Sequence, residues 1–354
     1  MAVSVDAAGN LRGTLAGADP GKRVFVMGSH LDTVRDAGAF DGILGVVLAI
    51  AIAGNYPLNR LPFDLEVIGF SEEEGVRFGV PFIGSRAVVG LLDEPTLNRT
   101  DAAGISMAQA IRDFGLDPSR LPDAAFRTTP LGFLEIHIEQ GPVLDNAAEP
   151  VAIVEAIAGQ TRASVKFIGS ANHAGTTPMP LRRDSLAAAA QWIAAVEHIA
   201  QSTPGLVATN GKINVQPNAS NVIAGEATLS LDVRHDKDEA RNRACEDLRR
   251  AAAGIARQRG LEMAWTDLLN QAAVRMDGSL TKALSSVAPS ARRMVSGAGH
   301  DAMILAPHIP SAMLFLRSPG GISHHPAESV LPGDVDLALE IGCRFIESIG
   351  IEYK

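Results

Sequence analysis

The stretch "KRVFVMGSHLDTVRDAGAFDGILGVVLAIAIAG", residues 22 to 54, decides the fold, because it reads as a strand, a polar loop and a helix in succession. The short apolar run "KRVFVMG" predicts a strand, and the apolar run after Asp41 predicts a core helix that ends at Gly54. That run is too short to span a bilayer. A second strand is predicted in "FDLEVIGF". This alternation is typical of an α/β sheet covered by helices.

The pattern changes near residue 160. Apolar and polar residues alternate in "TRASVKFIG", "LVATNGKINV" and "EATLSLDVRH", as in strands of a sheet with one solvent-exposed face. Amphipathic helices are predicted at 183–201 and 237–260, with "LEMAWTD" as a last strand. We therefore predict a discontinuous α/β domain, with a mixed sheet covered by helices, from 1–158 and 273–354. An α/β sandwich is predicted to be inserted between its two parts, over 159–272.

The composition excludes several classes of protein. A formal net charge of -9 and a pI near 5.5 argue against general binding to nucleic acid or to an anionic membrane. Cys245 and Cys343 lie far apart, so no disulfide framework is expected. The first residues lack the pattern of a signal peptide. We expect a cytoplasmic protein with a small or proteinaceous partner.

Carboxylates and imidazoles crowd two segments that follow predicted strands. His30 and Asp32 stand two apart, which places both on one face of an extended segment, although a surface hydrogen bond is the alternative. The run Glu72 to Glu74 is either a solvated acidic loop or a place where cations or protons offset the repulsion. A metal-bound Glu beside a free Glu acting as a base would account for that pairing. Ligands of open α/β sheets collect at such strand ends.

Further imidazoles could complete a set of metal ligands. They are His137 in "EIHIEQG", His300 in "SGAGHDA", and the adjacent His324 and His325 in "GISHHPAE". Structural roles are the alternative. A histidine on a strand, such as His137, is often a hydrogen-bonded structural residue, and the His-His-Pro stretch could be an ordinary turn. Together with the carboxylates they suit Zn²⁺, Mn²⁺, Co²⁺ or Ni²⁺. Two ions bridged by Asp41 would explain the crowding.

The order of these motifs, with "NHAGTTP" between them, resembles the metal-dependent amidohydrolases that include N-carbamoyl-L-amino acid hydrolase and allantoate amidohydrolase. That family is related to aminoacylase and carboxypeptidase G. The resemblance runs over nearly the whole chain. The family's first domain begins further upstream, so we expect an N-terminal helix and loop to be missing here.

The resemblance implies a centre of two divalent metal ions, Zn, Mn, Co or Ni, bridged by Asp41. The implied ligands are His30, Asp41 and His137 for one ion, and Asp41, Glu74 and His324 for the other. His324 is favoured over His325 because it follows Gly-Ile-Ser in the motif. Many relatives have Asn where His325 stands.

The resemblance also implies roles around the metal ions. Glu73 would be the general base, and Asp32 would orient His30 without binding metal itself. His137 in "HIEQG" stands where the peptidase relatives tend to use a carboxylate. This difference points to ureido substrates.

The inserted domain resembles the family's lid and dimerisation domain, so a homodimer is expected. His173 would polarise the scissile carbonyl or stabilise the oxyanion, in family dimers across the subunit interface. Asn221 and Arg234 match substrate-binding positions, and a guanidinium can grip a carboxylate through two hydrogen bonds. Gln140 and His300 are further candidates for the same pocket.

The expected activity is hydrolysis of the carbamoyl or ureido C–N bond of a small carboxylate substrate. An N-carbamoyl-L-amino acid is the first expectation and allantoate the alternative. A metal-dependent dipeptidase or aminoacylase is a further alternative within the superfamily. A non-catalytic relative that binds a metabolite is the alternative from another class.

Overall fold

The computed structural model describes residues 1–352. The strands are β1 Ala2–Val5, β2 Leu11–Leu15, β3 Val24–His30, β4 Asp64–Phe70, β5 Gly132–Ile138, β6 Val151–Ile157, β7 Gly159–Ile168, β8 Asn172–His173, β9 Val207–Thr209, β10 Ile213–Gln216, β11 Val222–Ile223, β12 Glu226–His235, β13 Glu262–Gln271, β14 Val274–Arg275, β15 Arg292–Ser296 and β16 Ser311–Leu316. The helices are α1 Ile43–Gly54, α2 Ile83–Val88, α3 Glu94–Leu97, α4 Met107–Asp113, α5 Val143–Ala147, α6 Ser185–Ser202, α7 Asp238–Gln258, α8 Gly278–Val287, α9 Asp301–Leu305 and α10 Pro332–Glu352. Within these described residues, no helix has both the length and the apolar character needed to cross a membrane.

The chain divides into two compact units. One comprises Met1–Ile157 together with the chain from Arg275 onward, and the other comprises Ala158–Val274. The domain boundaries expected from the sequence lie beside these positions. The roles expected for the second unit, a lid and a dimerisation domain, stay predictions.

The first unit is built on a mixed sheet in the order β1-β2-β4-β3-β5-β16-β6-β14, with β15 paired to β6. The central neighbours are parallel, β3 with both β4 and β5, and β5 with β16. The outer pairs β1–β2 and β2–β4 are antiparallel. β4, β5 and β16 are buried along their whole length, as expected for strands covered on both faces. The predicted mixed α/β class is confirmed.

Helix α1 packs across β3, β4 and β5 and ends at Gly54, as predicted. The predicted core helix buries Leu44, Leu48 and Ile52 in the hydrophobic core, whereas Val47 is 53% exposed and Ile50 is 44% exposed. The helix covers one face of the sheet, so its opposite side faces outward. An entirely apolar helix carries no polar stripe that would mark this outer side in the sequence.

The second unit has an antiparallel sheet in the order β10-β12-β7-β13, with β9 also paired to β12. Every second residue of β12 is buried, against a core that includes Trp192 of α6 and Leu248 of α7. The segment "LVATNGKINV" forms two short strands, β9 and β10, rather than one. Between them, the Asn210 side chain donates to the carbonyl of Ser230 at 2.8 Å and so holds the interruption against β12.

The entry into α1 depends on Gly42. Its φ is 69°, in the left-handed region that favours glycine. A Cβ placed on Gly42 would lie 2.3 Å from Nδ1 of His30. The turn therefore brings the backbone at the start of α1 directly against the His30 ring.

We expect Gly42→Ala to lower the free energy of unfolding by about 1–3 kcal/mol, because it combines a strained φ with a clash against His30. Urea denaturation of the two proteins measures the difference. Gly54→Ala is the matched control, since nothing lies within 4 Å of its added Cβ. The control should leave stability unchanged or raise it by up to about 1 kcal/mol through helix propensity. Equal effects of the two substitutions would contradict the prediction.

Candidate metal centre

The site lies where the parallel strands of the first unit end. His30 is the last residue of β3, and it pairs in register with Phe70 at the end of β4. His137 lies one residue before the end of β5. Because β3, β4 and β5 are parallel neighbours, these ends share one edge of the sheet.

A first donor group combines His30, Asp41 and His137, all of them buried. The two Nε2 atoms of the histidines lie 3.2 Å apart. Oδ1 of Asp41 lies 3.3 Å from Nε2 of His137 and 3.8 Å from Nε2 of His30. The three donor atoms thus surround one small space.

The hydrogen bonds of the two rings decide which nitrogen faces this space. Nδ1 of His30 lies 2.6 Å from the carbonyl oxygen of Asp32, and Nδ1 of His137 lies 2.9 Å from that of Ile138. A carbonyl oxygen only accepts, so each Nδ1 carries hydrogen and each neutral ring turns an Nε2 lone pair towards the other. Two facing lone pairs repel unless a proton or a cation lies between them. The arrangement therefore fits a metal ion.

A second donor group combines Asp41, Glu74 and His324. Nε2 of His324 lies 3.0 Å from Oδ2 of Asp41 and 3.4 Å from Oε1 of Glu74. His325 belongs to neither donor group, and its Nδ1 accepts the N–H of Ala327 at 3.1 Å. Of the two adjacent imidazoles, the structure therefore places His324 among the donors.

Asp41 belongs to both donor groups and is only 2% exposed. Nε2 of His324 is close to Oδ2 of Asp41, but the angle of this contact is not that of a hydrogen bond. Among residues 1–352, Oδ2 therefore has no hydrogen-bond partner. Burial alone would raise the pKa of this carboxyl, but the imidazoles of His137 and His324 more than offset it and lower the pKa. Conversely, Asp41 and Glu74 raise the pKa of His324 to about 10. Such a buried, underbonded carboxylate fits a bridging position between cations.

The acidic loop after β4 is held by Asp32. Its carboxylate oxygens accept the N–H groups of Glu73 at 2.9 Å and of Glu74 at 3.1 Å. Asp32 contacts His30 through its backbone carbonyl, whereas the sequence led us to expect a contact through the carboxylate. The reason is that the loop bends the Asp32 side chain towards the acidic segment, so the carboxylate orients Glu73 and Glu74.

Glu73 is the buried member of the acidic run, with 7% of its surface exposed. Its burial, and then the negative charges of Asp301 and Glu74, raise the pKa of Glu73 well above the usual range. Glu74 reaches the second donor group, and Glu73 does not. The structure thus distinguishes Glu74, which is a member of the second donor group, from Glu73, which belongs to neither group.

Behind the first donor group lies a buried polar layer that the sequence reasoning missed. Glu135 accepts the hydroxyl of Ser29 at 3.0 Å and the N–H of Ala302 at 2.8 Å. His300 is fully buried and packs edge-to-face on His137, with ring centroids 4.5 Å apart. The spacing of Glu135 and His137 on one strand was the available signal, because residues two apart share a face. His300, expected to bind substrate, therefore contacts a donor residue from behind.

Gln140 lies beside the donor groups. Its φ of 58° turns the backbone sharply after β5, and its Nε2 donates to Oδ1 of Asp41 at 3.1 Å and to Oγ of Ser323 at 3.3 Å. The same Nε2 lies 3.4 Å from Nε2 of His324. Its expected role in substrate binding stays a prediction.

The other expected site residues belong to the second unit. His173 in β8 pairs with Val222 of β11, and the Ala174 N–H donates to the carbonyl of Asn221 at 3.0 Å. The structure therefore brings His173 and Asn221 onto adjacent segments. Arg234 lies on β12, in the other sheet of this unit.

His173 has a defined tautomer in this loop. Its Nδ1 accepts the N–H of Gly175 at 3.1 Å and that of Thr176 at 3.2 Å. Since Nδ1 is an acceptor, the neutral ring carries its hydrogen on Nε2. The side chain thus presents an N–H donor.

Arg234 has a carboxylate partner on its own strand. Nε and Nη2 of its guanidinium lie 3.0 Å and 3.1 Å from the two carboxylate oxygens of Asp232. This two-point contact orients the guanidinium.

Comparison with known proteins places the site in context. The chain matches the family model described as peptidase family M20/M25/M40 over residues 26–348. Allantoate deiminase 2 from Glycine max is 38% identical, over 98% of this chain and 79% of its own length. An N-carbamoyl-L-amino acid amidohydrolase from Geobacillus stearothermophilus is 40% identical, over 95% of this chain and 84% of its own. A solved hydantoinase/carbamoylase family amidase from Burkholderia multivorans has a TM-score of 0.92 at 31% identity, covering 98% and 86% of the two chains.

We expect Asp41→Ala to weaken divalent metal binding at both donor groups by more than about tenfold, because it removes the donor that they share. His324→Ala should weaken only the second group. Equilibrium dialysis against Co²⁺ or Zn²⁺, with metal analysis, measures both effects. His308→Ala, at an exposed position, is the control and should bind metal normally. Equal loss in the Asp41 and His324 variants would contradict a shared carboxylate.

Proposed function

Because the chain belongs to the peptidase family M20/M25/M40, we propose that its two donor groups serve a metal-dependent amidohydrolase. The enzyme cleaves the carbamoyl or ureido C–N bond of a small carboxylate substrate, with an N-carbamoyl-L-amino acid as the first choice. The observation that carries the proposal is the convergence of three imidazoles and two carboxylates at one edge of the sheet, with the buried Asp41 common to both groups. Amidohydrolases of this substrate class are among the most similar relatives.

We propose two divalent ions, one held by His30, Asp41 and His137, the other by Asp41, Glu74 and His324. These imidazole and carboxylate donors suit Zn²⁺, Mn²⁺, Co²⁺ or Ni²⁺. Such ions, when bound, polarise the substrate carbonyl and make water more acidic. The chain's own part is to supply their ligands and to hold those ligands in place.

Glu73 acts as the general base. It takes a proton from the attacking water and passes it to the leaving nitrogen, so that an amine can depart. Asp32 supports this step, because its carboxylate holds the backbone N–H of Glu73 at 2.9 Å. Because Glu73 is buried, its carboxylate is poorly hydrated, and this makes it a stronger base.

The second unit supplies groups for the substrate. The Nε2–H of His173 is suited to donate to the carbonyl oxygen as negative charge develops on it. Arg234 binds the substrate carboxylate, with Asp232 holding the guanidinium in orientation. Asn221, on the segment beside His173, and Gln140 of the first unit add polar contacts to the substrate.

Allantoate is the second candidate substrate, favoured by the 38% identity to allantoate deiminase 2 from Glycine max. Both candidates carry a ureido group and a carboxylate, so the same base and the same arginine serve either. Allantoate has a second ureido group and requires extra polar donors. An N-carbamoyl amino acid instead requires room for a variable side chain.

We also propose a homodimer formed through the second unit, with His173 acting across the interface. Light scattering that gives the mass of one chain would count against it.

A cytoplasmic location is proposed as well. Its support is that Cys245 and Cys343 are both free, which suits a reducing compartment.

We expect Glu73→Gln to lower kcat by about 10²–10⁴-fold while metal content stays normal, because the amide cannot accept the proton. Steady-state kinetics and metal analysis on the same preparation measure both quantities. Glu72→Gln is the matched control, since Glu72 precedes Glu73 in the same acidic run but belongs to neither donor group. Full activity in a metal-loaded Glu73 variant would remove the base from the mechanism.

The experiment that tests the function is release of ammonia from N-carbamoyl-L-amino acids and from allantoate. The chelated protein is re-supplied in turn with Mn²⁺, Zn²⁺, Co²⁺ and Ni²⁺, and activity is expected to return with at least one ion. Turnover of dipeptides or acylated amino acids instead would favour the peptidase or aminoacylase alternative. A folded, metal-loaded protein that turns over none of these compounds would favour the non-catalytic alternative.

A further inference from the structure

A buried carboxylate that belongs to neither donor group connects the two loops that carry Asp41 and His324. Glu328 is 5% exposed and lies between His325 and the start of α10. Its Oε1 accepts the backbone N–H of Phe40 at 3.0 Å and that of Asp41 at 3.1 Å. The charge is thus offset by the backbone dipoles of Phe40 and of Asp41, the residue that both donor groups share.

The other oxygen of Glu328 reaches the second loop. Its Oε2 accepts the hydroxyl of Ser323, the neighbour of His324, at 3.2 Å. The Ser323 oxygen in turn accepts Nε2 of Gln140 at 3.3 Å, and that amide also donates to Oδ1 of Asp41 at 3.1 Å. These contacts close a ring of hydrogen bonds that begins and ends at Asp41.

The loop before Asp41 is packed against Glu328 without spare room. A Cβ placed on Gly38 would lie 2.3 Å from Cβ and 2.5 Å from Oε1 of Glu328. Only glycine fits this approach, so the backbone rests directly on the Glu328 side chain. Such contact restricts the directions in which the Asp41 carboxylate can point.

We propose that Glu328 is a positioning residue of the second donor group. It fixes the backbone of Asp41 so that one carboxylate faces both groups, and through Ser323 it holds the His324 loop in register with that carboxylate. The inference rests on the proposed function only where hydrolysis is concerned. For metal binding it rests on the contacts of Glu328 alone.

The test is a titration of the full chain with Co²⁺. Equilibrium dialysis measures the affinity, and visible absorption spectroscopy reports the environment of the bound ion. Glu328→Ala should weaken binding at the group of Asp41, Glu74 and His324 by about 10–100-fold, as expected when an outer partner of metal ligands is lost. It should also change the Co²⁺ spectrum. Glu328→Gln should recover most of the affinity, because its amide oxygen still accepts both N–H groups and Ser323 can turn to accept from its nitrogen.

The control is Glu340→Ala, which removes an exposed glutamate of α10 that pairs with Arg344 at 3.5 Å, and this variant should bind Co²⁺ like the wild type. A Glu328→Ala protein with wild-type affinity and spectrum would overturn the inference. Equal weakening by Ala and Gln would overturn it as well, because charge and not hydrogen-bond geometry would then be responsible.

A variant that unfolds is recognised by far-UV circular dichroism without metal. Ser323→Ala then decides, since it removes the hydrogen bonds of the His324 loop to Glu328 and Gln140 and leaves Glu328 itself in place. Weaker Co²⁺ binding supports the inference, and unchanged binding overturns it. Turnover assays separate the two proposals. If Glu328→Ala loses Co²⁺ while the wild type hydrolyses no ureido compound, the proposed function fails and the positioning role stands. If the wild type hydrolyses such a compound and Glu328→Ala binds Co²⁺ with wild-type affinity, the proposed function stands and the positioning role fails.

Discussion

The structure of the site depends on one constraint, the burial of the Asp41 carboxylate among the imidazoles of His30, His137 and His324. A buried charge is costly unless opposite charges or hydrogen bonds compensate for it. Here the nearby nitrogens partly compensate, while one carboxylate oxygen has no hydrogen-bond partner among residues 1–352. A cation shared by these side chains would resolve both the repulsion between the nitrogens and the incomplete bonding of the oxygen.

Two further carboxylates hold the backbone around this centre and do not contact the side chains of the donor residues. Asp32 accepts the N–H groups of Glu73 and Glu74, and Glu328 accepts those of Phe40 and Asp41. Each thereby orders a loop that would otherwise be free to move. Loops carry chemistry well when a rigid scaffold fixes them, and here the scaffold acts through hydrogen bonds to the main chain.

Much of the fold could be predicted from local patterns, because alternation and apolar runs depend on short stretches of chain. The strand at "KRVFVMG" and the end of α1 at Gly54 are examples. The outward face of α1 was not predictable, since Val47 and Ile50 look like core residues and only the packing of the helix leaves them exposed. Glu135 was missed although it stands two residues from His137, because that spacing predicts a shared face and does not mark Ser29 and Ala302 as the partners of its carboxylate.

The sequence by itself determined the inventory: a mixed α/β chain, imidazoles and carboxylates after strands, and an order of motifs that resembles one family. Tertiary structure alone decided which of them meet. His324, which the motif already favoured, faces Asp41. Asp32 turns its carboxylate to the acidic loop, and Glu328 reaches Asp41, and neither contact follows from the motifs. The physical reason is that local patterns report on neighbours along the chain, whereas Asp41 and Glu328 are brought together by a sheet that places distant loops at one edge.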